Sequence, residues 1–75
     1  MKIKYYPETD SLYIDLSSRP GVESKEISQG VVLDYDDQGK LVGIDIDKAS
    51  KILDLKEIVL SQLPTQVQTI TSATV

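Results

Sequence analysis

Apolar and polar side chains alternate along much of the chain, which is the pattern of a β-sheet with one buried face. Ile3 and Tyr5 alternate with lysines, and Leu12 begins a second alternating run that ends at Leu16. Residues 7–11 lie between the two runs and contain proline, which presets a turn, and Asp and Ser, which bond locally to the backbone. The two runs therefore predict a hairpin.

A second group of strands is predicted after residues 17–21, where adjacent proline and glycine break the pattern. Residues 22–28 are mostly polar and predict an edge strand, because charged side chains there discourage pairing with another chain. Gly30 then belongs to a tight reversal that leads into the apolar run of residues 31–35.

A second hairpin is predicted from the turn at residues 36–39 to the strand at residues 41–46. Gly39 can adopt the positive φ that a type I turn followed by a bulge requires. Alternation places one set of apolar side chains of the last strand on the buried face: Val42, Ile44 and Ile46.

The period changes after Asp47, which we expect to cap a helix by accepting an unpaired backbone N–H of the first turn. The pattern restarts with capping-box spacing at residues 54–57. Two short helices or one kinked helix are predicted, with a strand over residues 58–60 as the alternative. Three apolar residues share the first helical face: Ala49, Ile52 and Leu53.

These elements predict one α+β domain over residues 1–63, an antiparallel β-meander of four or five strands with one or two short helical segments on one face. Residues 64–75 begin with a proline and carry no charge, and we expect them to be frayed or docked as an extra strand. The predicted core packs Leu12, Ile14, Leu16, Val42, Ile44 and Ile46 of the sheet against Ile52, Leu53, Ile58 and Val59.

Composition removes several classes of function. The 75 residues include no cysteine and no histidine, which excludes disulfides, thiolate chemistry and a histidine base. The formal net charge of −4, with scattered lysines, argues against nucleic acid as a partner. No apolar run is long enough to span a membrane, and the first residues lack the apolar stretch of a secretory signal. We expect a cytoplasmic protein with no cofactor and no membrane or nucleic-acid partner.

Residues 5–17 read Tyr-Tyr-Pro-Glu-Thr-Asp-Ser-Leu-Tyr-Ile-Asp-Leu-Ser and resemble the opening signature of a prokaryotic family, the domain of unknown function 2283. Residues 30–36, 39–44 and 49–50 resemble its second half, so the resemblance covers residues 3 to about 53. It implies a short, stand-alone protein with no established activity or catalytic residues. Some members are similar in genomic setting to the antitoxin half of small two-gene modules, which implies binding to a partner.

The acidic segment around the second hairpin has the spacing of a calcium-binding loop, with Asp34, Asp36, Gln38 and Gly39 followed by Asp45 in the last ligand position. A hairpin would place its ends on paired strands instead of wrapping them around an ion. We therefore interpret the segment as a polar turn with solvated acids, and keep a metal site at Asp34, Asp36 and Asp45 as the alternative. The same choice applies to the wider set of acids in or beside strands, which could converge for Mg²⁺ or acid–base work or could form the solvated face of the sheet: Asp15, Asp34, Asp45 and Asp47.

The aromatic residues are four tyrosines. Tyr5 and Tyr13 lie in facing strands and predict a cross-strand contact. Tyrosine is also enriched in interface cores, so Tyr6 and Tyr13 are candidate interface residues. A small chain without catalytic side chains favours a protein-interaction or regulatory module, which we expect to be a homo-oligomer or an antitoxin-like partner of another small protein. The alternative is a metal-binding or carboxylate-based enzyme or sensor centred on the hairpin that contains Asp34 and Asp45.

Overall fold

The computed structural model describes residues 1–57 and 59–61, in which five antiparallel strands form one sheet and one short helix follows. This confirms the predicted antiparallel sheet and both hairpins. The elements in chain order are β1 (Lys2–Tyr6), β2 (Ser11–Asp15), β3 (Glu23–Ser28), β4 (Val31–Tyr35), β5 (Leu41–Ile46) and α1 (Ala49–Ile52). In this part of the chain, no helix has the length and apolar character needed to cross a membrane.

The sheet has the strand order β1-β2-β5-β4-β3, so the predicted simple meander is wrong. Strands β3, β4 and β5 do form a meander, but β5 returns to pair with β2, which is a Greek-key arrangement. The connection from β2 crosses to the far edge of the sheet, where β3 lies. The prediction of an edge strand at residues 22–28 is therefore confirmed. Local alternation carries no information on which strands become neighbours, and the pattern therefore could not give this order.

The crossing connection covers one end of the sheet. The Leu16 N–H donates to the Val42 carbonyl at 2.9 Å, and the Val22 N–H donates to the Tyr35 carbonyl at 2.8 Å. A Cβ on Gly21 would lie 3.6 Å from Cγ2 of Val42, which is only 2% exposed. The register also shifts at this end of the β4–β5 pair. Val42 is therefore buried beside the connection and lies outside the main core cluster.

The main core lies on the apolar face, where Ile14 is paired with Ile3 on one side and Ile44 on the other. Ile52 and Val59 were predicted to cover this face, but they are 50% and 69% exposed. Ile58, the other predicted covering residue, lies outside the described residues. The observed cluster contains buried Leu12, Ile46 and Ala49, with Ile3, Ile14, Ile44, Leu53 and Leu55 packed against them.

The prediction that Asp47 caps the helix is wrong. Lys48 holds the N-cap position in the left-handed conformation, with φ of 50°, and makes no side-chain capping bond. Residues 53–57 and 59–61 form neither a second helix nor a strand. The remaining part of that prediction, and the prediction for residues 64–75, lie outside the described residues.

Candidate functional site

Helix α1 separates two surface grooves, each of about 410 Å³. The hairpin groove lies between α1 and the first hairpin, and its lining includes Tyr5, Pro7, Ser50, Leu53, Leu55 and Lys56. The turn groove lies between α1 and the β3–β4 turn, and its lining includes Glu26, Gly30, Asp47, Lys48, Lys51 and Ile52. The grooves and α1 together form the candidate site, which we call the helix surface.

Asp10 fixes α1 against the first hairpin from 40 residues away. Its Oδ2 accepts the Ser50 hydroxyl at 2.6 Å, and its Oδ1 accepts the Ser50 N–H at 3.1 Å. The Tyr5 hydroxyl donates to Oδ1 at 2.7 Å, and the Ala49 N–H donates to the Asp10 carbonyl at 2.8 Å. Asp10 therefore satisfies backbone and side-chain donors at the start of the helix, the role predicted for Asp47.

The Asp10 network also shifts the acidity of its members. Hydrogen bonds from the Ser50 and Tyr5 hydroxyls stabilise the carboxylate and lower the pKa of Asp10 below its usual 3.8. The bond from Tyr5 to Asp10 raises the pKa of Tyr5, because the phenol can donate this bond only while it keeps its proton. Asp10 has φ of 54°, a conformation that aspartate tolerates better than most residues. The turn therefore presents an ionised carboxylate at the helix start.

The polar face of the sheet carries a second network, centred on Tyr13. Its ring lies over Gly43, where a Cβ would overlap the phenolic oxygen and lie 2.6 Å from Cζ. The Tyr13 hydroxyl donates to Oδ2 of Asp34 at 3.1 Å, and the Ser24 hydroxyl donates to Oδ1 at 2.7 Å. Because Gly43 has no side chain, the sheet can hold a tyrosine flat against its centre.

Negative charge accumulates on this face. Burial raises the pKa of Asp45, and the charges of Asp47 and Asp34 raise it further. Burial also raises the pKa of Tyr13, together with its bond to Asp34 and the nearby charges of Asp15 and Asp45. These acids therefore share one face, as the prediction of a solvated acidic face required, but Tyr13 covers part of it.

Asp36 is buried in the second hairpin turn, with 4% of its surface exposed, so its interpretation as a solvated acid is wrong. Its Oδ1 accepts the N–H groups of Gln38 and Lys40 at 2.9 and 2.8 Å. Its Oδ2 accepts Nε–H of Arg19 at 2.7 Å. The Lys40 amide is the largest of the influences that lower the pKa of Asp36. Sequence reasoning missed Arg19, which is 17 residues away from Asp36. The two amide bonds could have been predicted, because an aspartate at the start of a turn commonly accepts N–H groups that follow it.

The three candidate metal ligands have different surroundings. Asp34 is bonded to Tyr13 and Ser24, whereas Asp36 organises the turn and Asp45 lies on the polar face. Within residues 1–57 and 59–61, no group of three or more acids is arranged to hold a metal ion. Metal binding at Asp34, Asp36 and Asp45 stays a prediction.

The tyrosines are divided between the two faces. Tyr5 is paired with Leu12 and Tyr13 with Lys4, so their side chains point to opposite sides and the predicted aromatic contact is wrong. Tyr6 is 44% exposed at the end of β1, while Tyr13 is half-buried. The assignment of Tyr6 and Tyr13 to an interface stays a prediction.

The family model described as "Protein of unknown function (DUF2283)" matches residues 2–50. The matched range spans all five strands and reaches Ser50, so it includes Tyr5, Asp10 and Ser50 of the network that holds α1. Comparison with curated proteins and with solved structures gives no match.

Proposed function

The chain belongs to the DUF2283 family, whose function is unknown, and we propose from its own surfaces that it is a protein-interaction module that self-associates through the helix surface. The observation that carries this proposal is how little of the described chain is buried. Its buried apolar side chains are Leu12, Val42, Ile46 and Ala49, and none of its large side chains is fully buried.

A domain of this size buries only about 60% of the surface that its unfolded chain exposes. Small domains therefore commonly rely on disulfides, a structural metal or association with another subunit. The sequence contains no cysteine, which leaves no disulfide to supply that stability. Association with a second copy would bury additional apolar surface and fits the small observed core.

The edges of the sheet are poor surfaces for association by strand pairing. Strand β3 has an irregular register between Glu26 and Ser28 and is exposed along its length. Strand β1 carries Lys2 and Lys4. Bulges and lysines are devices that prevent edge strands from pairing with other chains. We therefore assign the association to the helix surface.

The helix surface has the properties of a preorganised interface. Asp10 holds α1 in place, so little conformational entropy is lost on binding. Ile52 is 50% exposed beside the turn groove, and Tyr5 is 38% exposed beside the hairpin groove. Exposed apolar and tyrosine side chains next to grooves can act as anchors.

Sedimentation equilibrium over a micromolar to millimolar range tests the proposal. We expect a concentration-dependent rise from the 8.3 kDa of one chain towards twice that mass. Ile52→Asp should weaken the rise by placing a charge in the interface. Val22→Asp is the matched control, because Val22 is also exposed, at 64%, but lies in the connection before β3. A single-chain mass throughout the range would contradict the proposal.

A further inference from the structure

We infer that the turn groove is where a second copy docks, with Lys51 of each copy paired with Glu26 of the other around a two-fold axis. The inference rests on the proposed self-association and specifies its contacts. A two-fold interface brings the same patch of both copies together, so the patch must complement itself.

The walls of the turn groove are fixed by short contacts. The Asp47 N–H donates to the Gly30 carbonyl at 2.8 Å, which joins the end of β5 to the β3–β4 turn. A Cβ on Gly30 would lie 3.4 Å from the Asp47 carbonyl oxygen and 3.8 Å from Cδ1 of Ile52. Gly30 also has φ of 81°, which favours glycine. The groove is therefore present before a partner arrives.

The charges of the groove are balanced, with two acids, Glu26 and Asp47, and two lysines, Lys48 and Lys51. The lysines would repel a wholly basic partner, and the acids would repel a wholly acidic partner. A second copy rotated by a half-turn can oppose each sign with the other. The mixed lining therefore favours the chain itself as the occupant.

The two residues of the inferred pair have no strong partner of their own in the described part of the chain. The salt bridge found there joins Arg19 to Asp36, at the opposite end of the sheet. Glu26 accepts the Gly30 N–H only at 3.4 Å. Lys51 lies close enough to Asp10 to help lower its pKa, but no ion pair joins them. Both side chains are exposed and can reach a second molecule.

The backbone at the start of α1 fixes the relative positions of the two groove lysines, Lys48 and Lys51. Lys48 has φ of 50°, a left-handed backbone conformation that residues other than glycine, asparagine and aspartate rarely adopt. The Lys51 N–H donates to the Lys48 carbonyl at 3.0 Å, so the two lysines are held one turn apart. Exposed Ile52 follows them and would be covered when the second copy docks.

Two charge reversals test the pairing. Lys51→Glu alone would oppose two glutamates at each contact, and Glu26→Lys alone would oppose two lysines, so each variant should self-associate about tenfold more weakly. Mixing the two variants should restore association. In a mixed dimer, the new glutamate of one variant faces the new lysine of the other, and the unchanged Glu26 and Lys51 face each other, so neither contact joins like charges. Differently labelled variants and a pull-down of one by the other measure this directly.

Lys40→Glu is the matched control, since it makes the same charge change in the turn at the far end of β5. It should associate like the parent and should not select Glu26→Lys. Lys51→Gln and Glu26→Gln, with thermal unfolding of each variant, keep the test valid if a reversal prevents folding. Equal association of the parent and both reversals, without preference on mixing, would overturn the inference while leaving self-association intact. A parent that stays monomeric, or that binds only a different protein, would overturn both.

Discussion

Replacing Gly43 with alanine tests the packing of Tyr13 against the centre of the sheet. The new Cβ would overlap the phenolic oxygen and lie 2.6 Å from Cζ, so the ring must move away. Moving it breaks the hydrogen bond from Tyr13 to Asp34. No positive φ is found at Gly43, so alanine fits the strand backbone, and Tyr13 is the source of the strain.

The magnitude follows from three contributions. A hydrogen bond to a carboxylate is worth about 1.5–3 kcal/mol, and the lower end applies because this bond is only partly buried. Displacing a packed side chain costs about 1–3 kcal/mol. Alanine in place of glycine in a strand returns about 0.5–1 kcal/mol. We expect Gly43→Ala to lower the free energy of unfolding by about 2 kcal/mol, a large share of the total for so small a domain.

Urea unfolding followed by far-ultraviolet circular dichroism measures this loss. With a slope of about 1 kcal/mol per molar, the midpoint should fall by about 2 M. The Tyr13→Ala background is the control, because without the ring Gly43→Ala should be neutral or slightly stabilising. The two substitutions should therefore be coupled by about 2–3 kcal/mol. A midpoint unchanged by Gly43→Ala, or equal effects in both backgrounds, would refute the described position of the ring.

Three further outcomes are expected. Leu12→Ala should lower the free energy of unfolding by about 3 kcal/mol in urea titration, and Ile14→Ala by about 1–2 kcal/mol because Ile14 is less buried; the reverse order would contradict the core. Asp45→Asn should raise the melting temperature at pH 7, because the raised pKa of Asp45 means that its ionisation opposes folding. Asp37→Asn makes the same change at an exposed turn position and is the control. This gain should shrink as the pH falls and Asp45 is protonated in the parent, which thermal scans across pH 3–7 would detect. Asp10→Asn should lower the melting temperature and speed amide exchange at the start of α1. Because the folded pKa of Asp10 is lowered, its contribution is present above 3.8 and lost as the pH falls, so parent and variant should converge in acid.

The strands were predictable because each one alternates apolar and polar residues over its own few positions. Ile3 and Ile14, for example, are paired through a short hairpin whose turn residues are adjacent in sequence. Gly39 has φ of 77°, as the turn prediction required, because turn geometry is also a local property. Local patterns therefore account for the two hairpins and the exposed edge at β3.

The remaining features depend on contacts between distant residues. Asp47 has the local pattern of a helix cap, but Asp10 takes that role across 40 residues, and no local pattern encodes this. Asp36 is interpreted as solvated because acids commonly occupy polar turns, and its ion pair with Arg19, 17 residues away, leaves no local signal. The predicted contact between Tyr5 and Tyr13 overlooked the register of the first hairpin, which pairs Tyr5 with Leu12 and so places Tyr13 on the opposite face.

The Greek-key order also constrains how the chain assembles during synthesis. The hairpin of β1 and β2 contacts the rest of the sheet only through β5, whose residues are made last among the strands. Until Leu41–Ile46 has been synthesised, the first hairpin and the β3–β4 hairpin have no common strand. Nearly the whole matched segment must therefore be available before the first hairpin can join the other strands in one sheet.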